Sequence, residues 1–262
     1  AFDRVKMLQG LAATSQKASG FADNLLMPAD IDGLVAPPPG APAIYYTFLD
    51  NSFHGGTDRL ELRAFHVDWV TPANSTFTVV GSPAVTAFTY TVCGFFNLSC
   101  ATQPGTTQKV DVVSEWPMFR LAYRRFGDHE GLVGTFTVPS GGRAAPRWFE
   151  LRGSVTSWTL YQEGTYDPAA QDREGSIALG YSAMSGTVSP AIRFATRLAL
   201  DKLGSLGSES TLIAGGGSQT GSNRWGDYAA LSIDPADECT FWYTNQYYTA
   251  SSASNWATRV GA

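Results

Sequence analysis

Charge is scarce in this chain. Asp, Glu, Lys and Arg make up 16% of its 262 residues, against about 25% in an average soluble domain. So few charges cannot clothe many surface helices, which favours strands and turns. Lysine is rarer still, at four residues against 14 arginines, and the net charge is -5. A phosphate-backbone partner needs clustered Lys and Arg. No basic stripe exists, so no nucleic-acid partner is expected. No apolar run approaches the roughly 20 residues of a membrane-spanning helix, so no membrane span is predicted. The opening "AFDRVKMLQG" lacks the charged-then-apolar layout of a secretion signal, and the chain reads as cytosolic or as a mature, trimmed form. Also missing are a nucleophile elbow, a Gly-rich phosphate loop, an HExxH motif and EF-hand ligand spacing. No cofactor or metal is expected.

Cysteine is nearly absent too, with three residues. Cys93 and Cys100 bracket "GFFNLS", a short loop containing Gly and Asn. That spacing suits a local disulfide and is a poor metal pattern, because no second pair exists. Cys239 is left over, either as a buried thiol or as one whose partner lies outside the chain. A disulfide implies an oxidising compartment. Asn74-Ser-Thr and Asn97-Leu-Ser fit the N-glycosylation pattern, which carries no meaning in a bacterial protein.

Aromatics are plentiful at 13%, and Gly, Ser and Thr fill much of the remainder, a composition suited to strands. Residues 1–42 differ from the rest of the chain. Phe2, Val5, Met7, Leu8 and Leu11 lie near helical spacing, which predicts a short helix. The run "VAPPPGAPA" then breaks regular structure, since consecutive prolines cannot join a sheet interior. Residues 1–42 therefore read as a helix and Pro-rich lead-in to the same domain. From residue 43 to 262 the pattern becomes short strands separated by Gly, Pro, Asn and Asp clusters, the all-β signature.

Within that region a unit recurs. "GLVGTFTVPSGGRAAPRWFELR", "IALGYSAMSGTVSPAIRFATR" and "CTFWYTNQYYTASSASNWATR" each run apolar strand, polar loop, second strand, arginine. Arg152 and Arg197 end two copies 45 residues apart, and "AIYYTFLDNSFHGGTDRLELRAFHV" is a weaker copy. A further strand follows most copies, and "MFRLAYRRF" and "DYAALSID" precede two of them. Four strands in about 45 residues match the blade of a β-propeller. One blade cannot cover both its faces, whereas blades stacked about an axis cover one another. About four blades are visible, the last stopping after its third strand. This predicts part of a larger propeller, completed by remaining blades or by a neighbouring subunit. The third copy has only "QDREG" where a first strand belongs, as if about a dozen residues near 172–176 were missing.

"RWGDY" at 224–228, "DPADECTFWYT" at 234–244 and the opening "AFDRVKML" resemble a group of secreted bacterial β-propeller proteins with a sialidase-like fold, over most of the chain. The resemblance implies propeller sequence upstream, secretion, and one more strand with a cysteine beyond residue 262 that would pair with Cys239. It implies no established reaction, so no catalytic residue is carried over.

"SIDPADECTFW" partly matches the Asp-box turn of sialidases through Ser232, Asp234, Thr240 and Trp242, with two extra residues and no central Gly. An Asp in such a turn accepts backbone N–H bonds and locks a hairpin. "FGDHEGL", with Asp128, His129 and Glu130, occupies the equivalent turn and reads as a solvated hairpin tip. The opposite ends of the strands are the expected ligand surface. Candidates there are Arg224, Trp225, Asp227 and Tyr228 in "SNRWGDY", Arg173 and Glu174 in "DREG", Glu115 and Trp116 in "SEWP", Arg143, Tyr247, Tyr248 and His54. Aromatic faces stack on apolar sugar surfaces while Asn, Asp and Arg take hydroxyls. The expected function is a secreted binding or surface-interaction module for carbohydrate or another extracellular ligand. One alternative is a sialidase-like glycoside hydrolase, with Asp227, Glu174 and Tyr228 as its first catalytic candidates. The other is a structural component of an extracellular assembly, joined through exposed strand edges.

Overall fold

A computed structural model describes residues 1–19, 25–155, 157–165, 169–226 and 228–262. Strand accounts for 45% of the chain and helix for 5%, so the fold is all-β. The predicted short helix is α1 (Arg4–Leu8), started by Asp3, whose side chain accepts the Lys6 N–H. None of its residues is buried.

The strands form four successive antiparallel meanders. The first is β1 (Met27–Asp32), β2 (Ala43–Leu49), β3 (Arg59–His66) and β4 (Thr76–Gly81), with a one-turn helix α2 (Asn51–His54) between β2 and β3. The second is β5 (Leu121–Arg125), β6 (Glu130–Ser140), β7 (Arg143–Ser154) and β8 (Ser157–Thr165). The third is β9 (Ala169–Gln171), β10 (Ile177–Ser185), β11 (Val188–Arg197) and β12 (Ser210–Ile213). The fourth has three strands, β13 (Ala230–Ile233), β14 (Phe241–Tyr247) and β15 (Ala257–Gly261). Hairpin chemistry sets the registers. Between Ser140 and Arg143, which pair directly, the chain reverses through Gly141 and Gly142, both at positive φ, as a two-residue hairpin turn demands.

Two strands lie where the sequence pattern predicts none. β1 falls inside the lead-in, in "MPADID". The third meander needs no missing residues: its first strand is the three-residue β9, which pairs with Ile177–Leu179 of β10. A further departure concerns the sheets. β1 and β5 pair in parallel from Ala29↔Leu121 to Asp32↔Arg124, so the first two meanders form one eight-stranded sheet instead of two separate blades. Its end strands β4 and β8 come back into contact, and the sheet curls around its own core. Backbone groups on the inner edges of β1 and β5 are satisfied by each other this way.

Apolar faces join the meanders in sequence order. Ile44, Tyr46, Phe48, Leu60 and Leu62 of the first pack with Leu121, Phe136, Phe149 and Leu151 of the second. Val133 and Trp148 meet Ile177 and Leu179 of the third. Ala170, Ala178 and Ile192 meet Leu231, Ile233 and Tyr243 of the fourth. The last approach is close: a Cβ on Gly180 would sit 2.6 Å from the Tyr243 ring. Two of the repeated arginines tie down their own units. Arg152 pairs with Glu150 at 2.6 Å and lies over Tyr161, while buried Arg197 donates to the carbonyl of Asp201 at 2.6 Å.

Candidate functional site

The connections sort to two rims. One, the turn rim, carries the links from first to second strand in every meander. The other, the loop rim, carries the links from second to third strand and the long connectors β4–β5 and β12–β13.

The loop rim is organised by buried polar side chains. Asp50, fully buried, starts α2 by accepting the Ser52 N–H at 2.8 Å and takes the Tyr90 N–H at 3.2 Å. Burial alone would push its carboxyl up; hydrogen bonds from Ser52, Thr89 and Tyr90 outweigh that and hold it below the usual carboxylate range. Asp58 accepts from Asn51 N and Phe88 N. Together these two carboxylates tie α2 to the β4–β5 connector. Phe53 of α2 consequently stacks between Tyr90, at 4.8 Å, and Phe95, at 5.2 Å. Phe95 and Phe96 ride on the loop closed by the Cys93–Cys100 disulfide, and Glu115 holds that loop by accepting the Phe96 N–H. Phe53, Phe95, Phe96 and Leu98 are each about half exposed, at 50–53%. Together they form a contiguous, partly exposed aromatic patch, the candidate interaction surface of this rim.

Beside it lies a shallow polar groove of about 310 Å³, lined by Ser99, Thr106, Thr107, Gln108, Lys109 and Thr220. Its floor is rigid. The Gln103 side chain accepts the Gln219 N–H at 2.8 Å and donates to the Gln219 carbonyl at 2.9 Å. Tyr248, fully buried, donates to Gln219 Oε1 at 2.9 Å, and burial raises its phenol so that it stays a neutral donor. Asp111 N–H donates to Asn223 O at 2.7 Å, so the two long connectors meet across the rim.

No family model, curated protein or solved structure matches the chain. The site therefore has to be read from its own geometry.

The residues singled out from sequence are distributed unevenly. Trp225 stacks on Tyr248 at 5.9 Å and donates its indole N–H to Ser182 Oγ at 2.8 Å; it wedges the third meander against the fourth. Tyr247 packs against the apolar cluster of those same meanders. Arg224 and Tyr228 are exposed, Tyr228 at 87%. Asp227 lies outside the described residues. Arg143 is exposed at the β6–β7 turn, and His54 is exposed at the end of α2, its Nδ1 3.3 Å from Asp50 O. Arg173 and Glu174 do not join them. Because β9 ends at Gln171, "DREG" forms the β9–β10 turn and sits on the opposite rim, as a solvated ion pair at 3.2 Å. Sequence reasoning misses the aromatic cluster. Its signals are "NSF" and "GFF", 40 residues apart and joined only by the fold.

The turn rim is a structural hub. The β13–β14 turn is locked by two aspartates: Asp234 accepts from Ala236 N and the Trp242 indole, Asp237 from Cys239 N and Thr240 N. Bonds from Thr240, then Cys239, push Asp237 down to about 2. This is the structural role predicted for an Asp-box-like turn. Asp128, in the β5–β6 turn, is pulled down by its hydrogen bond with His129 at 2.7 Å, and His129 stacks on Phe126. From the β13–β14 turn, Glu238 reaches the other three meanders. Its Oε1 accepts the Leu34 N–H at 2.8 Å and Arg124 Nη1 at 3.1 Å, and its carbonyl accepts the Arg173 N–H at 3.0 Å. Glu238 holds a left-handed φ of +57°, a strain of about 1–3 kcal/mol that persists only where neighbours over-determine it. Among the described residues no group of three or more His, Cys, Asp and Glu side chains stands close enough to hold a metal, and no helix is long and apolar enough to cross a membrane.

Proposed function

We propose that this chain is a propeller-like array of meanders, of the secreted bacterial kind its motifs resemble, with its first two units fused into one sheet, acting as an extracellular binding module whose ligand surface is the loop rim. The observation that carries this reading is the exposed cluster of Phe53, Phe95 and Phe96, stapled by a disulfide and two buried aspartates beside a hydroxyl- and amide-lined groove. Flat rings next to polar groups suit a carbohydrate, whose faces are apolar and whose edges carry hydroxyls. The disulfide is compatible with an oxidising, extracellular setting. Support for radial stacking comes from the apolar contacts running second to third and third to fourth meander, and from Glu238 returning to the first.

The hydrolase alternative has less behind it. Its pairing of Glu174 with Tyr228 spans opposite rims, whereas a tyrosine nucleophile and the carboxylate that activates it must meet at one bond. A glycan array probed with wild type and Phe95→Ala tests the binding reading. The expected result is retention of a glycan class by wild type and at least tenfold weaker signal from the variant, with no turnover of fluorogenic glycosides. Retention unchanged in Phe95→Ala, or turnover abolished by Asp227→Asn, would overturn it.

A further inference from the structure

We propose that the N-terminal arm of one copy of this chain docks on the outward face of the fourth meander of another, joining copies head to tail. Residues 1–16 form a closed arm: Phe2 bridges to Ser15, and the Asp3 N–H donates to Thr14 O at 3.0 Å. Its base is fastened to the β3–β4 connection, where Gln16 Nε2 donates to Asp68 O at 2.7 Å and Ser75 Oγ donates to Gln16 Oε1. On this arm Phe2, Val5, Met7, Leu8 and Leu11 are each 57–71% exposed. Apolar side chains gathered in one short, hydrogen-bonded segment and left in water mark a contact surface.

The second surface is flat. Alternate residues of a strand point to opposite faces. Leu231, Ile233 and Tyr243 pack toward the third meander, so Ala230, Ser232, Trp242, Thr244 and Gln246 face outward. Val260 and Thr258 join them, opposite Thr244 and Gln246 in register. None of these strand residues carries a charge. Trp242 and Val260 are 43% and 57% exposed, and Trp256, at the entry to β15, is 55% exposed. The second and third meanders each lay an apolar face on the next; among the described residues the outward face of the fourth has no such cover.

Charge selects a second copy as the occupant. In residues 1–19 Arg4, Lys6 and Lys17 stand against Asp3 alone, a basic segment in a chain of net charge -5. At the turn-rim end of the outward face, Asp234 accepts the Trp242 indole N–H at 2.9 Å. Neither Arg4 nor Asp234 has an ion-pair partner among the described residues. An arm laid along Trp242 and Val260 supplies the apolar cover, and Arg4 and Asp234 supply opposite charges at its border. Two outward faces meeting each other would leave both arms bare and bring like charges together. A head-to-tail contact covers both surfaces and repeats into a ring or a filament. It uses neither the Phe53 cluster nor the polar groove, and so does not depend on the carbohydrate reading.

The test is sedimentation velocity of the full chain over a concentration series to about 1 mM, a range that reaches weak contacts. The expected result is concentration-dependent growth beyond the monomer, weakened at least tenfold in Leu8→Asp and in Val260→Asp. Both positions are exposed, and thermal melts matching wild type show that each variant folds. The deciding measurement mixes the two variants. Each keeps one intact surface, so the mixture is expected to form one-to-one pairs and nothing larger. A monomer at every concentration, wild-type association in either variant, or a mixture that stays monomeric would each overturn the proposal. Association lost in Phe95→Asp but kept in Leu8→Asp would move the interface to the loop rim and overturn it as well.

Discussion

The first two meanders share one core filled by aromatic rings; the last two each begin with a short strand, β9 or β13, and pack around smaller side chains. β6 and β7 pair over eleven residues, and Tyr46, Phe48, Phe136 and Phe149 fill the space they enclose. β9 has three residues and β13 four, and their core is built on Ala170, Ala178, Ile192, Leu231, Ile233 and Tyr243. A short strand makes few ladder bonds, so the turns beside it carry extra ones. Asp172 accepts from Glu174 N and Ser176 N, Asp201 from Leu198 N, and Asp234 and Asp237 fix the β13–β14 turn. Aspartates hold loops of the first meander in the same way, Asp50, Asp58 and Asp68 each accepting backbone N–H groups. An Asp in a turn need not signal chemistry.

The sharpest way to break this comparison is to open each core. Phe149→Ala, in the first, removes a fully buried ring and is expected to lower unfolding free energy by about 3–5 kcal/mol in urea titration. Ile233→Ala, in the second, should cost about 2–3 kcal/mol. A larger loss in the second would reverse the assignment of the stronger half. Gly180→Ala asks whether the third and fourth meanders truly press together. Its new Cβ must displace the Tyr243 ring, an overpacking expected to cost about 1–3 kcal/mol, and a neutral result in thermal melts would mean the two are apart. Asp50→Ala removes a helix cap and a buried acceptor, at about 1–3 kcal/mol, and should raise hydrogen exchange at Ser52 and Tyr90 before it alters the core. The smallest effect concerns pH. Asp237 is depressed in the folded state to about 2. Its clamp is therefore complete above the ordinary carboxylate range near 4 and lost as pH falls from there toward 2. Protection of the Cys239 and Thr240 amides should fade across that window, and fading already at pH 5 would contradict the assignment.

What is legible in the sequence divides along the same line. Long apolar strands ending in Arg152 and Arg197 can be read because their pattern is local, as can the Cys93–Cys100 loop. β1 cannot, because "MPADID" places Asp30 and Asp32 in a strand. Asp30 is half exposed, and buried Asp32 is offset by Arg120, which pairs with both from 90 and 88 residues away. β9 escapes detection because three residues show no period, and without it Arg173 and Glu174 are assigned to the wrong rim. The candidate site is half visible. Tyr248, Trp225 and Tyr247 stand out in the sequence but prove to be the site's packing, while Phe53 and Phe95 meet only through long-range folding.

The central claim is that the connections segregate to two rims. Double electron–electron resonance in a Cys239→Ser background, with nitroxides introduced at exposed turn positions, measures it directly. The pair at Asp128 and Ala236 shares the turn rim, whereas Asp128 and Gly142 are separated by the length of β6, about 35 Å at 3.3 Å per residue. The account predicts a clearly shorter mean distance for the first pair than for the second. Equal distances, or a longer first pair, would contradict it.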